Sequence, residues 1–259
     1  MFRLLAVLAA VTPAVLASVI PGETCGYFGY RMPEPSALAV AVYSAAGWAA
    51  DLLPVALALA GLWLPRRFPV LGAAASGLVL LLGGLTYLVP YVSICGTTQG
   101  LGLVTGCAAA ATAACLLARR DAGPRRVPAA VAAAWTTVIG LALARSFTLW
   151  GPDAYLGCFP DLTDEWASWW MHLDTSERLG LWVAVAALGA ILVSGRGATA
   201  AAVALLVPAL YTPLATVLSG AAHDCSSLTE LVVWPYVAGA VIGVMAARAA
   251  RDVTPAGRA

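Results

Sequence analysis

The chain has 259 residues, of which 61% are hydrophobic and only 10% are charged, whereas a soluble domain has roughly 45–50% apolar and 25% charged residues. The apolar residues stand in long unbroken blocks, which is typical of a helical protein that crosses the bilayer several times. This composition excludes a soluble globular protein. The net charge of +1 comes with no clustered basic face, so we expect no nucleic-acid partner.

Eight apolar blocks are long enough to cross a bilayer core of about 30 Å, which takes about 20 helical residues. They predict an all-α fold, a polytopic transmembrane bundle of eight spans embedded in the lipid bilayer. The predicted spans cover approximately 3–20, 38–64, 69–92, 99–118, 127–149, 179–195, 198–219 and 230–248.

Arginine supplies all 14 basic residues, and its distribution predicts the orientation. With the N-terminus inside, eleven arginines fall in cytoplasmic segments, while only Arg31 and Arg178 fall in outer loops. The outer loops hold ten of the 13 acidic residues: Glu23, Glu34, Asp153, Asp161, Asp164, Glu165, Asp174, Glu177, Asp224 and Glu230. This positive-inside bias predicts that both termini are cytoplasmic. The alanine-rich, lysine-free composition is expected of a GC-rich bacterium, so we expect a bacterial cytoplasmic membrane.

The first block has an alternative interpretation. Arg3, the apolar run that follows it and Val15-Leu16-Ala17 before Ser18 also resemble a signal peptide with its cleavage site. Cleavage would leave seven spans and an N-terminus on the outside. We favour a retained span, because the run stays apolar through Ile20 and is matched by the fifth span in an internal repeat.

The eight spans fall into two similar sets of four, residues 1–126 and 127–259. Each outer loop of each set contains one cysteine, and the fourth and eighth spans each carry a Gly-xxx-Gly pair: Gly102 with Gly106 and Gly239 with Gly243. We therefore predict two parallel four-helix repeats related by a pseudo-twofold axis along the membrane normal. Chance similarity among alanine-rich helices is the alternative.

The four cysteines of the outer loops are Cys25, Cys95, Cys158 and Cys225. The outer compartment is oxidising enough to preserve disulfides, and the even number predicts two bridges. Three pairings are open. We favour Cys25 with Cys95 and Cys158 with Cys225, since each repeat would then clamp its own loops.

No metal, cofactor or catalytic site is predicted. The histidines, His172 and His223, have no paired ligand spacing, and no C-x-x-C, nucleotide-binding or hydrolase motif occurs. The remaining enzymatic alternative places His172, His223 and Asp224 together on the outer face. Cys107 and Cys115, eight residues apart in the fourth span, are interpreted as apolar packing residues.

Two ionisable residues inside apolar blocks are the main site candidates. Asp51 lies near the middle of the second span, where a lone charge costs about 2.5–3.5 kcal/mol on insertion scales. We therefore expect Asp51 to face the bundle interior and to be paired or protonated. Pro54 removes the hydrogen bond to the Ala50 carbonyl, which leaves a polar kink beside the carboxyl group.

Arg145 lies about one turn from the outer end of the fifth span. Its functional interpretation is a substrate site shared with Asp51, with Tyr87 and Tyr211 as further polar groups. Two structural interpretations compete: a salt bridge between Asp51 and Arg145, and an arginine that extends to the outer headgroups.

The longest outer loop, 150–178, predicts a short interfacial helix. Trp166, Trp169, Trp170 and Leu173 recur there at helical spacing, and tryptophan favours the membrane–water interface. The helix is either an aromatic anchor or a lid over a cavity.

Three classes of function remain. Transport of a small solute or ion is narrowly favoured, and it predicts a polar cavity at Asp51. A non-catalytic accessory or sensor subunit would use the outer cap or the Gly-xxx-Gly faces to bind a partner or a second copy. It predicts a tightly packed bundle and an exposed apolar strip. A membrane enzyme is the third class.

Overall fold

The computed structural model describes residues 1–19, 36–89, 100–121, 127–148, 179–210 and 233–252. In this part of the chain all regular structure is helical, so the predicted all-α class is confirmed for it. The helices are α1 (Phe2–Val19), α2 (Ala37–Trp63), α3 (Phe68–Leu85), α4 (Gly102–Leu117), α5 (Ala129–Thr148), α6 (Leu179–Leu192), α7 (Gly195–Ala204) and α8 (Trp234–Asp252). A 3₁₀ turn at Ala118–Arg120 follows α4, and a short helical stretch at 206–210 follows α7.

Three helical segments among the described residues are long and apolar enough to cross a membrane: Ala37–Trp63, Phe68–Leu85 and Gly102–Arg120. Shorter apolar helices cover Phe2–Leu16, Ala129–Arg145, Gly180–Leu192 and Gly195–Leu210. The fold is therefore that of a helical membrane protein. The full set of eight spans stays a prediction, because several predicted spans continue beyond the described ranges. The orientation in the membrane and the bacterial origin also stay predictions.

The chain forms two compact units, Met1–Pro124 and Arg125–Ala259. In the first unit α1 contacts α2 and α4, and α3 contacts the same two helices. In the second unit α5 contacts α6 and α8, and α7 contacts the same two helices. This common order of neighbours supports a four-helix repeat, although the duplication itself stays a prediction.

Each unit joins its second and third helices by a tight turn. Residues 64–67 separate α2 from α3, whereas only Val193 and Ser194 separate α6 from α7. The short connection requires left-handed backbone at Val193 (φ 52°) and Gly195 (φ 92°), which glycine adopts freely and a β-branched residue does not. The predicted spans 179–195 and 198–219 leave Arg196 in the connection between them, but α7 begins at Gly195, so Arg196 lies in its first helical turn.

The third helix ends earlier than its hydropathy predicts. Its apolar block runs to residue 92, but α3 ends at Leu85. The buried Thr86 hydroxyl donates to the Gly83 carbonyl at 2.5 Å and accepts the Leu101 amide at 3.1 Å. Tyr43 of α2 donates to the Thr86 carbonyl at 3.1 Å. These bonds join α2 and the start of α4 to the end of α3, so tertiary contacts set this boundary.

Small residues bring α3 and α4 close together. A Cβ atom placed on Gly72 would lie 2.6 Å from the Cys115 Sγ. One turn along α3, the buried Ser76 hydroxyl donates to the Gly72 carbonyl at 2.7 Å, and a hydrogen bond of 2.9 Å links it to the Thr112 hydroxyl. Cys115 is fully buried, which confirms its predicted packing role, and Cys107 is partly buried.

The first helix is an integral part of the first unit. Four of its residues are buried in the unit that α1 forms with α2 and α4: Ala6, Val7, Ala10 and Val11. Arg3 donates to the Pro65 carbonyl at 2.9 Å, and its guanidinium carbon lies 5.4 Å from the centroid of the Phe68 ring. These contacts make α1 part of the first unit as the structure describes it, while the choice between a retained span and a cleaved signal peptide stays a prediction.

Asp121 stabilises the N-terminal end of α1. The terminal ammonium group donates to its carboxylate at 3.3 Å. Burial by itself raises the pKa of Asp121, but the ammonium group and the backbone amides of Phe2 and Arg3 outweigh that effect and hold the pKa below its ordinary value. A carboxylate in this position also complements the positive end of the helix dipole.

We expect Asp121→Asn to lower the stability of the first unit at neutral pH by about 0.3–1 kcal/mol. Because the folded-state pKa is depressed, the carboxylate stabilises the fold above the unfolded-state pKa of about 3.9, and this contribution is lost as the pH falls through the lower folded-state pKa. Thermal unfolding of both proteins in detergent should therefore show a difference that closes in acid. Arg66→Gln, at an exposed position of the same unit, is the control, and a difference independent of pH would contradict this role.

Candidate functional site

Asp51 lies near the middle of the 27-residue α2, and its side chain is exposed. Asp51 therefore does not point into the packed interior of the first unit, and the expectation that it faces the interior of the whole bundle stays a prediction. The side chain is exposed because α2 buries mainly its C-terminal half, from Leu53 to Leu62. In the N-terminal half only Ala39 and Ala46 are buried. Asp51 stands at the edge of this exposed half.

The exposed residues of the N-terminal half share one side of α2, which we call the Asp51 face. It consists of Ala37, Leu38, Val40, Ala41, Ser44, Ala45, Trp48, Asp51 and Leu52. Its central residues, Ala41, Ser44 and Ala45, are small. The exposed residues of α3 are by contrast mostly large and aliphatic, with Leu78 54% and Leu81 61% exposed. The Asp51 face therefore combines a small-residue centre with four large apolar side chains, Leu38, Val40, Trp48 and Leu52, and is less uniformly aliphatic than the exposed surface of α3.

The carboxyl group is the costliest feature of the Asp51 face. A charge at the centre of a membrane helix costs about 2.5–3.5 kcal/mol unless a polar partner or protonation offsets it. Within the described part of the first unit, no hydrogen bond or ion pair to the Asp51 side chain is present. Whatever covers this face in the membrane must therefore provide polar contact or accept a neutral carboxyl group.

Arg145 of α5 has the opposite environment. It is 2% exposed, and its guanidinium carbon lies 6.0 Å from the centroid of the Tyr236 ring of α8, within the range of a cation–π contact. Tyr236 packs edge-to-face against Trp182 of α6, with ring centroids 6.3 Å apart. Arg145 is thus an interior residue of the second unit. Its predicted salt bridge with Asp51 joins residues of different units and stays a prediction.

Tyr87, the third candidate, follows α3 and is 60% exposed. Its ring covers the start of α4, because a Cβ atom on Gly100 would lie 2.5 Å from the ring and one on Gly102 would lie 2.8 Å from the hydroxyl. These close approaches give Tyr87 a packing role at the end of the first unit, whether or not it also contacts a ligand.

Several predicted features lie outside the described residues and stay predictions. They are Tyr211, the disulfide candidates Cys25, Cys95, Cys158 and Cys225, the outer-face group of His172, His223 and Asp224, and the interfacial helix within 150–178.

The two Gly-xxx-Gly pairs have different surroundings. Gly239 and Gly243 are buried, and a Cβ atom on Gly243 would lie 2.8 Å from the Ala202 Cβ of α7, so this pair packs within the second unit. In the first pair, Gly106 is exposed, and a Cβ atom there would meet no described atom within 4 Å.

Trp135 is the largest fully buried side chain of the described residues, and none of the sequence predictions singled it out. A Cβ atom on Gly189 would lie 2.5 Å from its ring, and one on Gly243 would lie 3.4 Å from it. The indole nitrogen donates to the Val193 carbonyl at 3.3 Å, which holds the α6–α7 turn. One sequence signal could have predicted this buried position. Trp135 is a bulky residue among helices rich in alanine and glycine, whose small side chains leave space for its ring.

No protein-family model matches the chain, and no curated protein or solved structure is significantly similar to it. The class of the protein, an all-helical membrane protein, is defined by its fold and composition.

Proposed function

We propose that the protein is a non-catalytic membrane subunit that binds another membrane protein through the Asp51 face. The observation that carries the proposal is an exposed carboxyl group near the middle of a helix long and apolar enough to span the bilayer. Beside it lie Ala41, Ser44 and Ala45, which permit the close approach of a second helix. Helices in lipid associate by such packing and by polar contacts between them.

Lipid alone is a poor occupant of the Asp51 face. Acyl chains offer the carboxyl group no hydrogen bond, so the cost of about 2.5–3.5 kcal/mol would not be offset. A partner helix provides both a polar group and a matching shape. The close packing at Gly72 and Gly243, together with the exposed aliphatic strip of α3, also agrees with what the accessory role predicts.

Transport is the second candidate, and one observation favours it. The exposed Asp51 precedes Pro54 on α2, and the proline deprives the Ala50 carbonyl of its helical amide partner. Interrupted helices with such carbonyls bind coupling cations in many transporters. A cation flux in liposomes that Asp51→Asn abolishes would support this function in place of the accessory one.

Photo-crosslinking in native membranes tests the proposed function. A photoreactive phenylalanine analogue at Ala41 or Ala45 should capture the same membrane protein from both positions, because both lie on the Asp51 face. The matched controls are Leu78 and Leu81, which are exposed on α3 and should label mainly lipid. Equal protein capture from both helices, or none from α2, would contradict the proposal.

A further inference from the structure

The Asp51 face carries one ionisable group, and that group is acidic. Trp48, one turn earlier on α2, shares the face, and residues three apart on a helix are surface neighbours. A carboxylate attracts a cation through charge-assisted hydrogen bonds, and an indole ring attracts it through its π face. The two side chains together therefore favour a cationic group over a neutral polar one.

The depth and shape of the face restrict what carries that cation. Asp51 lies near the middle of α2, so the cation has to be delivered within the membrane. Ala37, Ala41 and Ala45 repeat every four residues, the spacing that lets a second helix approach closely. A transmembrane helix with a basic side chain satisfies both conditions.

A second copy of this chain fits the face poorly. A symmetric dimer uses the same patch on both partners, so contact through the Asp51 face would bring Asp51 close to its own counterpart. Two carboxylates at that depth repel one another, and like-charge contacts act against an interface. The charge of the face thus disfavours self-association through it while Asp51 is ionised.

We infer that the partner contributes a transmembrane helix with an arginine or lysine at the depth of Asp51. This inference rests on the proposed function, and it adds the chemistry of the contact. Asp51 is the residue that determines partner choice, while the small residues determine how closely the helices approach.

Model helices test the inference on the full chain. The probe is a synthetic transmembrane helix of leucine and alanine with one central arginine, and the matched probes carry leucine or glutamine there. Each is reconstituted with the protein in phosphatidylcholine vesicles, and binding is read as energy transfer from the tryptophans of the protein to a dansyl group on the probe. We expect the arginine probe to bind about fivefold more tightly than the other two.

Variants of the protein identify the residue responsible. Asp51→Asn should abolish the preference for arginine, and Asp51→Glu should retain it even if Asp51→Asn folds poorly. Asp121→Asn, which removes an acid outside α2, should also retain it. Equal binding of the three probes, or an arginine preference that persists in Asp51→Asn, would overturn the inference.

The two proposals can fail separately. Crosslinks from Ala41 and Ala45 to another protein, combined with no arginine preference, would overturn the basic partner and leave the docking face in place. A crosslinked product of twice the mass of the chain would identify a second copy and overturn the inference. The absence of any protein crosslink from α2 would overturn the proposed function itself.

Discussion

Replacement of Trp135 by alanine is expected to cost the second unit about 3 kcal/mol of stability. Truncation of a fully buried tryptophan in soluble proteins costs about 3–5 kcal/mol, and the lower end applies because the helices stay in an apolar environment after they separate. Trp135 is 0% exposed, and its pocket is bounded by Gly189 and Gly243. Alanine would leave a cavity there and remove the hydrogen bond to the Val193 carbonyl.

Unfolding of the full chain in detergent, followed by circular dichroism, measures this loss without dependence on tryptophan fluorescence. The matched control is Trp234→Ala, since Trp234 belongs to the same unit and is 62% exposed. We expect a change within about 0.5 kcal/mol for the control. Similar losses in the two variants would show that Trp135 does not organise the unit.

Gly72→Val is expected to destabilise the first unit by about 1–3 kcal/mol or more, the range of an overpacked core. A Cβ atom on Gly72 would lie 2.6 Å from the Cys115 Sγ of α4 and 3.0 Å from the Leu57 Cδ2 of α2. The larger side chain would therefore push α3 away from both of these helices. Separation of α3 from α4 would also break the hydrogen bond between Ser76 and Thr112.

The control for this substitution lies on the same helix. A Cβ atom on Gly77 would meet no described atom within 4 Å, so Gly77→Val should change stability by about 0.5 kcal/mol at most. Because the closest contact is the thiol, Cys115→Ala should recover part of the stability lost in Gly72→Ala. Equal effects at positions 72 and 77, measured by thermal unfolding in detergent, would rule out a specific contact between α3 and α4.

These two sites also bear on the proposed function. If the interiors of both units are held by close glycine contacts, they have little freedom to rearrange around a passing solute. The exposed Asp51 face then becomes the feature that requires a partner. Variants at Trp135 and Gly72 test the packing inside the two units, whereas variants at Asp51 test the binding of a partner to the Asp51 face.

The sequence by itself determined the helical membrane class of the protein and the approximate positions of the helices in the described part of the chain. An apolar block of about 20 residues has to satisfy its backbone hydrogen bonds within itself in lipid, which makes helix formation a local property. Helix ends were less predictable. The end of α3 depends on Thr86, whose hydroxyl bonds to the Leu101 amide fifteen residues later, and no local pattern encodes that contact.

Only the tertiary structure decided which sides of the helices are buried. The helix α2 has few polar side chains besides Asp51, so hydropathy shows little difference between its faces, and it did not predict that Asp51 is exposed on the first unit. The same uniformity concealed Arg145, which is buried against Tyr236. In lipid, both the inside and the outside of a bundle are apolar, and the choice between them depends on shape complementarity with neighbouring helices. That complementarity exists only after the helices have packed.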